Sequence, residues 1–139
     1  MRGQYIAINE LLLFGIGALL ALSVAGIISL TVTSLQKQTE RDQYYMIANL
    51  VSMATTKTYL CSNIQNVDCN LIVEIPRKLS EERYVISLSN NISVSNFRTD
   101  ERIEIKPPKL NKTIKGEATS SARYFVLEAR GENITLSRR

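Results

Sequence analysis

The stretch from residue 11 to residue 35, LLLFGIGALLALSVAGIISLTVTSL, contains no charged side chain. As an α-helix it would be about 37 Å long, which exceeds the roughly 30 Å hydrocarbon core of a bilayer. Fourteen of its residues are Leu, Ile, Val or Phe, and it lacks the polar stripe that a water-facing core helix needs. The segment therefore predicts a membrane-spanning helix.

Small side chains recur within this apolar helix at steps of four residues, namely Gly17, Ala21, Ala25, Ser29 and Thr33. Such a ladder lets the backbone of another helix approach closely within a membrane, so it predicts helix association. Because a four-residue step drifts by about 40° per rung, the ladder winds around the helix and suits crossing neighbours. The alternative is that small residues are simply frequent in membrane helices.

The ten residues before this segment, MRGQYIAINE, bear on how the chain is processed. A small-x-small cleavage site occurs at Ser23-Val24-Ala25, but the apolar run continues to Leu35, so the helix is expected to stay in the mature protein. Glu10 stands alone at the mouth of the apolar segment, where a carboxylate must find a partner or remain at the membrane interface.

Arg2, Gly3 and Gln4, followed by an acid and a long apolar helix, resemble the class III signal peptides of archaeal type IV pilin-like proteins. The resemblance implies cleavage by a prepilin peptidase after Gly3, with residues 1–3 as the leader and Gln4 as the first mature residue. It also implies that Glu10 pairs with the N-terminal amine of a neighbouring subunit during assembly. Glu10 would be the seventh mature residue, whereas the family usually places this acid at the fifth.

A second helical pattern follows directly on the apolar one. Apolar and aromatic side chains recur there at helical spacing, at Tyr44, Ile47, Val51 and Ala54. No Pro or Gly occurs between Ile27 and Leu60. A single long helix over residues 4–60 is therefore the simplest interpretation, and this architecture also resembles that of pilins.

From residue 61 onward the pattern changes to short alternating runs that predict strands. The predicted strands cover residues 71–75, 84–89, 92–97, 102–106, 113–117, 123–129 and 133–137. Asn90-Asn91 and Gly131-Glu132 are typical of tight hairpin turns between them. The residues expected in the core are Tyr84, Ile86, Leu88, Phe125 and Leu127.

The fold class predicted from these patterns is α+β. A long N-terminal hydrophobic helix is followed by a small antiparallel β-sandwich-like head over residues 61–139. Partly open barrel packing is the other arrangement that the strand pattern allows. A core built from so few residues is marginal, so the helix and neighbouring subunits are expected to contribute to its stability.

Cysteines and glycosylation sequons indicate that this head lies outside the cell. Cys61 and Cys69 flank a turn-rich loop, and a disulfide is a better interpretation than a zinc site in a chain without histidine. Two free thiols are the alternative in a reducing compartment. N-x-S/T sequons occur at Asn91, Asn111 and Asn133, all in the second half of the chain.

The composition and charge pattern predict neither catalysis nor nucleic-acid binding. The absence of histidine removes imidazole ligands and His-based triads, and we predict no catalytic residue, cofactor or metal. The acids at 74, 104, 117 and 128 alternate with apolar residues and are expected on the solvated face of the sheet. A hydrolase would instead need two acidic side chains that come together at one site. The net charge of +4 is spread out, with no basic cluster interleaved with aromatics, so nucleic acid is not an expected partner.

Together with the resemblance, these features predict a structural subunit of an archaeal type IV pilus-like extracellular filament that serves adhesion or surface attachment. The expected partners are further copies of the chain in a helical filament, a prepilin peptidase, the membrane before assembly, and a cell surface or S-layer. The alternative is a single-pass membrane anchor whose surface β domain binds another cell-envelope or archaellum component.

Overall fold

Helix α1, Arg2–Gln65, is the one element shared by the two compact units of the chain, Met1–Thr39 and Glu40–Arg139. We call the second of these the head unit. The structure, a computed structural model, describes the backbone of residues 2–65, 67–98 and 101–139, and the side chains of those residues from residue 8 onward except residue 65. The sequence also predicts a turn at Thr99-Asp100 between the third and fourth strands, and these two residues lie outside the described residues. Helix α1 extends past the predicted end at Leu60 because no Pro or Gly interrupts it there.

Seven strands follow α1, and each coincides with a predicted strand to within two residues at either end. They are β1 (Cys69–Glu74), β2 (Tyr84–Leu88), β3 (Ile92–Asn96), β4 (Arg102–Ile105), β5 (Thr113–Thr119), β6 (Tyr124–Arg130) and β7 (Asn133–Arg138). The α+β class, with a long N-terminal helix followed by a β head, is confirmed.

All seven strands form a single sheet in the order β1-β6-β7-β5-β2-β3-β4. Neighbouring strands are antiparallel except β5 and β7, which pair in parallel with Thr113 opposite Asn133 and Gly116 opposite Leu136. Strand β7 thus lies between β6 and β5, where it joins the pair β1-β6 to the four strands β5-β2-β3-β4.

The second layer of the head unit is the part of α1 from residue 40 to residue 65, where the predicted sandwich would have had another sheet. Its side chains at the predicted helical spacing, Tyr44, Ile47, Val51 and Ala54, are buried. They form one apolar core with the inward face of the sheet, which includes the predicted core residues Tyr84, Ile86, Leu88, Phe125 and Leu127. A helix can cover the sheet because its apolar stripe is continuous, and each large side chain that it buries contributes about 1.5–3 kcal/mol.

Both predicted hairpins are present. Leu88 lies opposite Ile92 across the turn that contains Asn90 and Asn91. Arg130 lies opposite Asn133 across Gly131 and Glu132, and Gly131 has a φ of +55° that a glycine adopts without steric cost. These short turns bring the ends of β2, β3, β6 and β7 to fixed positions along the sheet.

Candidate functional site

The first unit exposes its apolar side chains. Every described side chain from Ile8 to Thr39 is exposed, including Leu11 at 76% and Phe14 at 79%. Among the described residues, α1 is the one helix long and apolar enough to cross a membrane. A soluble monomer rarely exposes so large an apolar surface, so residues 11–35 are a candidate membrane or assembly segment.

Three hydroxyl groups inside this segment, those of Ser23, Thr31 and Thr33, are satisfied by the helix itself. The Oγ of Ser23 donates a hydrogen bond of 2.8 Å to the carbonyl oxygen of Leu19, and the Oγ1 of Thr33 donates one of 2.9 Å to that of Ser29. Polar groups without a partner are costly in hydrocarbon. These bonds therefore lower the cost of placing Ser23, Thr31 and Thr33 in an apolar surrounding.

The small-residue ladder is open to a neighbour along its length. Gly17, Ala21, Ala25, Ser29 and Thr33 are all exposed. A β-carbon built on Gly17 would meet nothing within 4 Å, so no described part of this chain requires a glycine there. The ladder is thus a surface on which a second helix backbone can approach closely.

Glu10 is exposed on α1 immediately before the apolar segment. The predicted leader and processing residues, Met1 together with Arg2, Gly3 and Gln4, lie outside the residues whose side chains the structure describes. The processing site therefore remains a prediction from the sequence.

Cys61 and Cys69 form the predicted disulfide. Cys61 lies near the C-terminal end of α1, and Cys69 is the first residue of β1, opposite Ala129 in β6. The bond ties the helix to an edge strand of the sheet across a short connection. It is also the chemistry expected of a protein in an oxidising compartment.

The three sequon asparagines lie at one end of the sheet, which we call the sequon end. Asn91 lies in the β2–β3 turn, Asn111 shortly precedes β5, and Asn133 begins β7. The strand register brings them together, since Thr113 pairs with Asn133 and Gly116 pairs with Leu88. The disulfide lies at the same end, because Cys69 pairs with Ala129, one residue before the end of β6 at the β6–β7 hairpin.

The three asparagines differ in how freely an enzyme can reach them. The Nδ2 of Asn91 donates a 3.1 Å hydrogen bond to the Oε2 of Glu104, and the Ser93 of its sequon is buried. Asn111 and Asn133 are exposed. We therefore expect Asn111 and Asn133 to be the better acceptors for glycan transfer.

Three acidic residues of the sheet, Glu74, Glu104 and Glu128, lie beside arginines. The Nε of Arg123 lies 2.8 Å from the Oε1 of Glu74, and the Nε of Arg102 lies 2.7 Å from the Oε1 of Glu104. Pairs as exposed as these contribute little to stability. Among the described residues, no group of three or more His, Cys, Asp or Glu side chains could hold a metal ion.

The sequence analysis did not identify a basic cavity at the sequon end. The cavity has a volume of about 460 Å³, and its lining includes Lys106, Lys109 and Lys112 from the connection between β4 and β5. The β2–β3 turn, with Asn90 and Asn91, supplies its opposite side. The only signal in the sequence was the recurrence of lysine every three residues in KPPKLNK.

No protein-family model matches this chain, and no curated protein or solved structure matches it either. The functional interpretation therefore depends on the exposed apolar helix, the disulfide, the sequons and the basic cavity.

Proposed function

We propose that this chain is a structural subunit of an archaeal type IV pilus-like extracellular filament, assembled through α1. The observation that carries the proposal is the charge-free apolar half of α1, whose other half is built into the core of a folded head unit. A helix of this kind can lie in the membrane before assembly and then transfer its apolar surface to neighbouring subunits.

The apolar segment has the features that close helix packing requires. Its ladder of small residues is exposed, and the hydroxyl groups of Ser23, Thr31 and Thr33 are satisfied within the helix, so these three stay paired in a dry contact with other helices. Glu10 is exposed at the edge of the segment. In the filament it would pair with the N-terminal amine of a neighbour and so set the register between subunits.

The helix of the head unit offers additional contact surface. Met46, Met53 and Leu60 recur every seven residues on α1, and they are 71%, 60% and 47% exposed. They lie on the exposed side of the helix, which faces away from the buried core residues Ile47 and Val51. A neighbouring subunit in the filament would cover these side chains.

The head unit has the chemistry of an extracellular domain. Its disulfide suits an oxidising compartment, and its three sequons share one end of the sheet. We propose that the head units face outward from the filament and make the contact with surfaces or an S-layer.

The decisive test is the N-terminus of the mature protein. The full chain should be coexpressed with an archaeal prepilin peptidase, and its N-terminus should be determined by mass spectrometry in both the membrane and the sheared-surface fraction. We expect a chain that begins at Gln4. Gly3→Val should block this cleavage, whereas the matched variant Gly15→Val, in the helix where a β-carbon meets nothing, should be processed normally.

The two fractions distinguish the filament from a permanent anchor. A processed chain recovered in sheared material supports the filament. A chain that retains Met1, or one that begins at Gly26, would overturn the pilin interpretation. A processed chain found only in the membrane would favour the anchored β domain that binds another envelope component.

A further inference from the structure

The connection from β4 to β5 crosses one end of the sheet. Strand β4 is an edge strand, whereas β5 lies in the interior beyond β3 and β2, so residues 106–112 must pass over the ends of those two strands. This path takes the connection past the β2–β3 turn at the sequon end. The space between the connection and the turn is the cavity of about 460 Å³.

The lining of this cavity is positively charged. Lys106, Lys109 and Lys112 contribute to it, and among the described residues it contains no Asp or Glu. In the described part of the chain every ion pair uses an arginine, so none of these three lysines has a carboxylate partner. Lys112 instead donates a hydrogen bond to the Oγ of Ser62 on α1, which anchors one end of the connection to the helix.

The prolines of the connection hold the lysines in place. Pro107 and Pro108 have restricted φ angles and are half-buried, so this part of the connection is stiff. Lys106 and Lys109 are exposed, and their ammonium groups remain available to a ligand.

The rest of the lining identifies the class of ligand. Asn90 and Ser89 offer hydrogen-bonding groups suited to hydroxyls, and Leu110 and the two prolines offer apolar surface suited to the faces of sugar rings. No aromatic side chain of the described part of the chain lines the cavity, which therefore offers no stacking platform of the kind with which proteins bind single-stranded nucleic acid.

We propose that this cavity binds an acidic saccharide, with Lys106 and Lys109 on its carboxylate or sulfate groups. The inference deepens the proposed function, because it names the chemistry of a surface that the head unit would contact. It depends only on the head unit and not on processing or assembly. The cavity test and the N-terminus test can therefore fail separately.

The test uses the full chain in a nonionic detergent, made in a host that glycosylates none of the three sequons. Tetragalacturonate and a heparin tetrasaccharide serve as probes, with maltotetraose as the neutral saccharide, and binding is followed by calorimetric titration. We expect at least one acidic probe to bind and maltotetraose not to bind. Replacing both exposed lysines, Lys106→Gln with Lys109→Gln, should weaken binding about tenfold or more.

The matched control removes the same charge elsewhere, as Lys57→Gln with Lys78→Gln, since both lysines are exposed and neither lines the cavity. This variant should bind within about twofold of the unaltered chain. An equal loss in both double variants would mean that net charge alone causes binding, and it would overturn the proposal. So would the absence of binding to both acidic probes, or tighter binding of a single-stranded tetranucleotide. Unchanged thermal unfolding of the variants confirms that the head unit remains folded.

Discussion

Gly116 in strand β5 packs so closely against Leu136 in strand β7 that a β-carbon on Gly116 would lie 2.2 Å from the Leu136 carbonyl oxygen. Its φ of +135° is also one that L side chains rarely adopt. The contact lies within the single parallel strand pair of the sheet. Glycine is therefore required here by both the backbone angle and the available space.

We predict that Gly116→Ala destabilises the head unit by about 2–4 kcal/mol, since it combines a strained φ with a backbone clash. Gly131→Ala is the matched control, because Gly131 also has a positive φ but an added β-carbon there meets nothing within 4 Å. That change should cost only about 1–2 kcal/mol. Urea unfolding followed by near-UV circular dichroism measures both. Equal effects would show that the clash is relieved by a small shift.

The two buried tyrosines of the core should respond differently to loss of their hydroxyl groups. The Oη of Tyr84 donates a 2.7 Å hydrogen bond to the carbonyl oxygen of Pro76, whereas the buried Oη of Tyr44 lies near the side chain of Asn96 but forms no hydrogen bond of good geometry among the described residues. Tyr84→Phe should therefore cost about 1 kcal/mol at neutral pH, and Tyr44→Phe should be neutral or stabilising. Calorimetric unfolding measures the stability of both variants. A larger loss of stability in Tyr44→Phe than in Tyr84→Phe would contradict the prediction.

We also predict that the head unit loses stability at alkaline pH. Burial raises the pKa of Tyr84, and burial followed by the nearby charge of Glu40 raises the pKa of Tyr44. The neutral phenols are favoured in the folded state, so their stabilisation is complete below the unfolded pKa of about 10 and is lost as the pH rises above it.

The measurement is the unfolding free energy between pH 8 and pH 12, with phenolate absorbance recorded in parallel. The double variant Tyr44→Phe with Tyr84→Phe should have a flatter profile above about pH 10. Tyr45→Phe is the control, since Tyr45 is 42% exposed and should leave the profile unchanged. An identical decline in all three proteins would assign the alkaline effect to other groups.

Removal of the disulfide, as Cys61→Ser with Cys69→Ser, should destabilise the head unit by about 2–3 kcal/mol through the loss of loop closure. For a unit of this size the change corresponds to a fall in Tm of about 10–20 °C. Reduction of the unaltered chain should give the same Tm as the double variant. A Tm that does not respond to either treatment would show that the packing of α1 alone holds the helix to β1.

The small-residue ladder can be tested with two identical substitutions on one helix. Ser29→Leu places a bulky side chain on the ladder, whereas Ser23→Leu places it two residues before Ala25, about 200° around the helix. We predict that Ser29→Leu reduces association of the chain in membranes about tenfold and that Ser23→Leu has little effect. Energy transfer between labelled copies in vesicles measures this. A similar loss of association in both variants would show that the ladder is not the interface.

The helix and the seven strands could be predicted because each depends on local periodicity. The alternation around Tyr84, Ile86 and Leu88 specifies which face is buried whatever strand lies beside it. The order of the strands could not be predicted, since periodicity does not say which neighbour supplies the hydrogen bonds. The insertion of β7 beside β5, with one parallel pair, is a property of the whole sheet.

One turn and the basic cavity could not be predicted from the sequence either. Ser80 and Glu81 have φ angles of +47° and +69° without the Asn or Gly typical of such a turn, and the side chain of Gln43 on α1 accepts hydrogen bonds from Ser80. A contact that distant in sequence has no local pattern. Lys106 and Lys109 likewise meet the β2–β3 turn only because β4 and β5 are separated in the sheet.

The position of β7 has a consequence for how the chain is made. A ribosome delivers β7 after every strand that it joins, so β5 and β6 each keep an open hydrogen-bonding edge until that moment. The two partial sheets can form during synthesis, but they cannot be united before residues 133–138 emerge. The sheet of the head unit is therefore completed late. A chain that crosses a membrane in N-to-C order reaches the far side before its sheet is complete.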